Sequence, residues 1–197
     1  ATNGHITQGA VLRVTGAATF ITATTSKNII LDQNNVFTTT VTMKAGTGGA
    51  LAFNNITFVD SDGVNLHTAA ASNGDLFIDA STNLAVGGNL SITATTGNIT
   101  QGAAVTVTGT SLFEAMATDA DITLGSANAL GGAVILKTAG SGGNITLDNG
   151  TTALIIAQSS VGGNLTLTSG HASGITDSGT VTVGGNLYAT TDANNGD

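Results

Sequence analysis

Residues 4–16 read GHITQGAVLRVTG and residues 97–109 read GNITQGAAVTVTG. A chain that restates a phrase almost word for word, 93 residues later, is built from repeated structural units. A second phrase, VGGNL, starts at residues 86, 161 and 183, and ITDSG at 175 echoes the ITQG of residues 6 and 99. Beneath the long period lies a short one. Strand-like openings stand at Ile6, Ile29, Leu51, Leu76, Ile99, Ile122, Ile145, Leu165 and Leu187. Their spacing, mostly about 20 to 25 residues, is the length of one supersecondary unit, too small to bury a core alone. Such units become stable only by stacking on one another.

The units alternate. AAVTVTG sets Val105 and Val107 on one face and Thr106 and Thr108 on the other, and GNLTLTS does the same with Leu165 and Leu167 against Thr166 and Thr168. GTVTVGG repeats the pattern with Val181 and Val183. A period of two in β-branched residues is the signature of a strand. The best helical window, SLFEAMATDA at 111–120, falls where a strand is due. Between strands come Gly and Asn, as in Gly87-Gly88-Asn89, Gly97-Asn98, Gly142-Gly143-Asn144, Gly162-Gly163-Asn164 and Gly184-Gly185-Asn186. Both residue types tolerate the positive φ of sharp corners. In stacked coils such asparagines can also align, so that side-chain amides bond to one another along the stack.

The combination predicts an all-β fold: a parallel β-solenoid of about nine coils of roughly 20 to 25 residues, giving a rod of roughly 40 Å. Residues 1–197 read as a single solenoid segment. The rival architecture, a two-sheet antiparallel sandwich, would not require near-identical phrases at a long period. Neither terminus shows an amphipathic capping helix, and YATTDANNGD stops where a new strand is due. The expectation is therefore a segment of a longer repetitive chain, or a unit whose ends stack on like chains.

Composition narrows the function. Hydrophobic residues make up 41% of the chain, too many for a disordered tail. Only 8% of residues are charged, and solubility rests instead on Asn, Ser, Gly and 35 threonines. The net charge is −8, and Arg13, Lys27, Lys44 and Lys137 are the only permanent cations. That leaves no basic footprint for nucleic acid and disfavours an anionic membrane surface. There is no Cys, hence no disulfide or thiol chemistry, and no apolar run approaches the length of a membrane-spanning helix.

GNITQGAAVTVTG, VGGNLSITATTGNITQG and VGGNLTLTSGHASGITDSGTVTVGGNL resemble the repeats of filamentous-haemagglutinin-like bacterial exoproteins, large adhesins many of which are exported by two-partner secretion. The likeness covers nearly the whole chain and lies in phrasing, not in fixed signature residues. It implies a right-handed β-helix, an extracellular or cell-surface location, and a stalk or adhesive role facing a host surface or glycan. It places no functional residue, and the family's amino-terminal secretion domain is not visible.

The acidic and imidazole side chains are the candidates for chemistry. Polysaccharide lyases and hydrolases also use parallel β-helices, but a lyase needs cations around a groove, and four scattered ones do not supply them. A glycosidase needs two carboxyls facing across a cleft. Asp60 with Asp62, and Asp119 with Asp121, share a strand face at i, i+2, yet each pair sits in a Gly-rich turn where Asp is ordinarily a turn residue. DSDG at 60–63 and DANNGD at 192–197 echo calcium loops, making Asp60 and Asp62 weak metal candidates. The full loop pattern and its bidentate Glu are missing. His5, His67 and His171 form no ligand pair by spacing, and no nucleophile-elbow phrase occurs. Outward Thr rows could order water as on ice-binding solenoids, but the Thr pairs shift between coils, and Thr is the ordinary polar residue of a solvent-facing strand. No catalytic residue and no cofactor is expected.

Overall fold

A computed structural model describes residues 1, 4–22, 27–37, 41–45, 51–53, 56–60, 64–68, 75–78, 84–86, 89–94 and 97–191. The regular structure among them is strand throughout, arranged in sheets of eleven, four and nine strands. Neighbouring strands run in the same direction, so successive passes of the chain stack as a β-solenoid. One coil shows the path: Leu90–Ala94 in the eleven-stranded sheet, Ile99–Gln101 in the nine-stranded sheet, Val105–Val107 in the four-stranded sheet, and back to the first at Ser111–Thr118.

Alternation builds the interior. Ile99 lies against Ile122, Ile122 against Ile145, and Ile145 against Leu165, each 0–1% exposed. Leu124, Leu147 and Leu167 form the next buried file. In the eleven-stranded sheet Phe113 meets Leu136 on the inside, while Leu112 meets Ile135 on the outer face. Each fully buried aliphatic side chain contributes about 1.5–3 kcal/mol, so every added coil extends one continuous core. Phe20 and Phe37 close the early part of that core edge to face, with ring centres 6.1 Å apart.

Among the described residues the stack makes about six turns, not nine. The nine openings read from the sequence do not lie on one face. Ile6 and Ile29 open strands of the eleven-stranded sheet, Leu51 one of the four-stranded sheet, and Leu76 and its successors strands of the nine-stranded sheet. All three faces begin with an aliphatic residue after a polar corner, so counting openings mixed them. One step is also long: Ile56 pairs directly with Leu90, 34 residues on. Within that step Asp75–Ile78 lies between Val41–Ala45 and Val64–Thr68, out of chain order.

The window SLFEAMAT is a strand, Ser111–Thr118. Ser111, Phe113 and Ala115 are buried while Leu112 and Glu114 are partly exposed and Met116 is 54% exposed, which is a period of two. The strand ends in a register shift between Ala115 and Thr118, followed by Asp119 at φ 61°.

Candidate functional site

The repeated phrase has a structural reason. Gln8 Nε2 donates to Asn35 Oδ1 at 2.8 Å, and Asn35 Nδ2 donates back to Gln8 Oε1 at 3.0 Å. Asn35 Oδ1 also accepts the Leu12 amide at 2.9 Å, and its Nδ2 reaches the Leu31 carbonyl. Ninety-three residues on, Gln101 and Asn128 form the same reciprocal amide pair. Asn128 Oδ1 accepts the Val105 amide at 2.9 Å, while its Nδ2 donates to the Leu124 and Asp148 carbonyls at 3.2 and 2.8 Å. Each pair joins one coil to the next across 27 residues of sequence. The two copies lie on different sheets, Ile6–Thr7 in the eleven-stranded and Ile99–Gln101 in the nine-stranded, so the network accompanies the repeated phrase and not a particular face. Asn149 extends the theme: its Oδ1 accepts the Leu130 amide and its Nδ2 faces the carbonyls of Leu130, Thr152 and Ala153.

A second file of bonds runs along the corner before the nine-stranded sheet. Asn98 Oδ1 accepts the Asp121 amide at 2.8 Å, Asp121 Oδ1 the Asn144 amide at 2.7 Å, Asn144 Oδ1 the Asn164 amide at 2.9 Å, and Asn164 Oδ1 the Asn186 amide at 2.8 Å. The asparagines align as anticipated, but in place of the expected amide-to-amide bonds the links run from side chain to backbone. Only Asn144 adds a side-chain link, from Nδ2 to Asp121 Oδ1 at 3.2 Å. The geometry explains this: the corner amide that starts each strand has no ladder partner of its own, and a buried or half-buried N–H must be satisfied.

Corner bonds of this kind absorb residues suspected of chemistry. His5, which replaces Asn in the first copy of the phrase, holds the same corner position, and its Nδ1 accepts the Asn28 amide at 2.8 Å. We expect His5→Asn to leave stability unchanged, because Asn fills this position in the second copy. His5→Ala should cost about 1 kcal/mol, the worth of one exposed hydrogen bond. Amide exchange at Asn28 checks both, and equal protection in the two variants would refute the assignment. Asp121 is a rung of the file, and Asp119 Oδ1 accepts the Gly142 amide at 2.6 Å. Both act as corner residues. Asp148 Oδ1 accepts the Gly150 amide, and His171 Nδ1 that of Ser173. The side chains of Asp60 and His67, and the whole of Asp62 and residues 192–197, lie outside the described residues. Among the described residues no three His, Asp or Glu side chains converge as metal ligands would.

The outer face of the nine-stranded sheet carries a feature that sequence spacing hid. Thr100, Thr123, Thr146 and Thr166 stand in register as one file, followed by Tyr188. One column of threonines keeps its register although the coil length varies from 23 to 20 residues between successive rungs, while the column two residues on is mixed, with Asp148 beside Thr168. Each Thr–Thr neighbour pair is worth about 0.2–1 kcal/mol. On the eleven-stranded sheet Glu114 and Lys137 are cross-strand neighbours with a 3.7 Å ion pair. Their side chains are 29% and 45% exposed, so the pair contributes at most about 1 kcal/mol.

A family model described as repeats of unknown function matches residues 1–44, 48–137 and 142–197. The second and third matches start 94 residues apart, close to the long period of the phrases. No curated protein and no solved structure matches the chain.

Proposed function

The chain belongs to the family of repeats of unknown function (DUF5649), and from that premise we propose that it is a structural rod segment of a secreted or cell-surface bacterial adhesin, without catalysis. One observation carries the reading. Among the described residues, His5, Asp119 and Asp121 join coil to coil, Asp121 within an unbroken corner file from Asn98 to Asn186. A part whose polar groups serve continuity, over an interior of stacked aliphatics, is suited to holding something else at a distance. The stylistic likeness to filamentous-haemagglutinin-type repeats supplies the extracellular setting and the adhesive context.

A second reading, a filament of like chains stacked head to tail, is favoured by the distribution of charge. Residues 1–31 contain Arg13 and Lys27 and no carboxylate, whereas residues 138–197 contain Asp148, Asp177, Asp192 and Asp197 and no Lys or Arg. Opposite charge in these two stretches favours contact between like chains.

Antibodies against the folded chain, applied to intact cells of its source, should label the surface. Labelling only after lysis would overturn the extracellular assignment. Sedimentation of the purified chain separates the two readings. A monomer at all salt concentrations supports a plain rod, and oligomers that dissolve as ionic strength rises support the filament.

A further inference from the structure

The chain contains six Asn-x-Ser/Thr triplets, beginning at Asn55, Asn89, Asn98, Asn144, Asn149 and Asn164. This pattern is the acceptor sequence for sugar attachment at the asparagine amide. The solenoid generates it for its own reasons. At Asn98, Asn144 and Asn164 a corner Asn accepts the next coil's amide, the following Ile or Leu is buried, and a Thr of the outer column comes next. Sequence alone therefore cannot tell a modified triplet from a purely structural one. The hydrogen bonds can.

Sugar transfer needs a reachable side-chain nitrogen. Asn149 is 0% exposed, and its Nδ2 is committed to the carbonyls of Leu130, Thr152 and Ala153. Asn144 is half-buried, and its Nδ2 is bonded to Asp121. Asn98 and Asn164 differ. Both are exposed, both use Oδ1 to hold the next rung, and among the described residues neither Nδ2 has an acceptor. Their triplet threonines, Thr100 and Thr166, stand in the same file of the nine-stranded sheet, where the Thr100 hydroxyl oxygen is itself covered and has no hydrogen-bond partner. We infer that Asn98 and Asn164 are N-glycosylation sites.

The step is balanced with two components from outside the chain, an asparagine glycosyltransferase and a sugar activated by a phosphate or diphosphate leaving group. The bond from Nδ2 to the sugar's anomeric carbon forms as that carbon's bond to the phosphate oxygen breaks. The phosphate departs with the electron pair, and one Nδ2 proton is lost to base. Oδ1 is untouched, so a glycosylated Asn98 or Asn164 still accepts the Asp121 or Asn186 amide. The corner file and the sugar are therefore compatible. The two sites are three rungs apart, about 14 Å at the spacing of parallel strands, so adjacent sugars need not collide. The inference does not depend on the adhesin reading, because occupancy is read on the peptide whatever the rod carries.

The test is peptide mass spectrometry of the protein isolated from its natural source. The expected result is sugar on the peptides containing Asn98 and Asn164, with Asn144 and Asn149 unmodified. A single sugar would indicate a sugar-nucleotide donor, and a preassembled oligosaccharide a lipid-linked one. Thr166→Ala, an outward change that leaves the rung intact, should abolish occupancy at Asn164 and leave Asn98 modified, whereas Thr166→Ser should retain both. Absence of sugar from Asn98 and Asn164, or occupancy of Asn149 equal to theirs, overturns the proposal.

Discussion

Asn128→Ala should lower stability by about 3–5 kcal/mol. The side chain is 2% exposed and joins three coils at once. Its removal strips the acceptor from the Val105 amide, on a residue that is itself 1% exposed, and the donor from the Leu124 carbonyl. It also leaves Gln101 without its reciprocal partner and takes one of two donors from the Asp148 carbonyl, which still receives the Asn128 backbone amide. An unsatisfied buried polar group costs about 1–3 kcal/mol, and the Val105 amide becomes one, before counting the weakened Leu124 carbonyl, which keeps its place in the ladder with Leu147, and the space left by the amide. Gln101→Ala should cost less, about 1–2 kcal/mol, because Gln101 is only partly buried and water can replace part of what is lost. The double variant should fall short of the sum by about 1–2 kcal/mol, the signature of two groups that serve each other. Denaturant unfolding measures all three. As an internal contrast, Asn164→Ala removes the same kind of side chain from an exposed rung and should cost about 1 kcal/mol. Equal losses at Asn128 and Asn164 would refute the view that burial of the amide pair, not asparagine as such, holds the coils.

How much of this was legible beforehand depends on whether the information is local. The alternation of Val105, Thr106 and Val107, or of Leu165, Thr166 and Leu167, is local, and it yielded strands facing the right way. The same pattern overruled the helical propensity of Leu112, Glu114, Ala115 and Met116, because a tertiary period of two outweighs propensities of a few tenths of a kcal/mol per residue. The repeat of Gln8 at Gln101 was visible as wording, but its meaning was not. Asn35 and Asn128 lie 27 residues downstream, beyond any local template. The number of turns was misjudged for a related reason, since an aliphatic residue after a corner opens a strand on any of the three sheets. The Thr file was likewise hidden, because coil lengths that differ by three residues throw off a fixed period while the strands themselves stay in register. The corner acceptors could be anticipated in kind, as Gly-Asn punctuation. That His5 and Asp121 would stand in for Asn required knowing that the rung needs only a hydrogen-bond acceptor aimed at the amide above.

The phrase VGGNL supplies the second large effect. Its first glycine in each of the last two copies, Gly162 and Gly184, faces the coil below at very short range. A Cβ built on Gly162 would overlap the Gly140 carbonyl oxygen, and one on Gly184 would overlap that of Gly162. The obstacle is main chain, which cannot swing aside as the end of a flexible side chain would. It is also pinned on the neighbouring rungs, where the Gly163 amide bonds the Gly143 carbonyl at 2.8 Å and the Gly162 amide bonds Thr138 Oγ1 at 3.0 Å. Gly162→Ala must therefore push two coils apart at this corner, loosening the Val161 and Leu165 packing on either side, both at most 2% exposed. The expected cost is about 3 kcal/mol, at the upper end for overpacking, read as a fall in the midpoint of thermal or denaturant unfolding. Gly125→Ala is the matched control. It also lies in a corner, yet nothing stands within 4 Å of the added methyl. The substitution should leave stability unchanged or raise it by up to about 1 kcal/mol, since alanine restricts the unfolded chain. If the two variants unfolded alike, close stacking of glycine backbones would not be the reason this chain repeats two glycines before its asparagine. A large loss at Gly162 alone would mean that the spacing between coils, set by those glycines, is what keeps the hydrogen-bonded files in register.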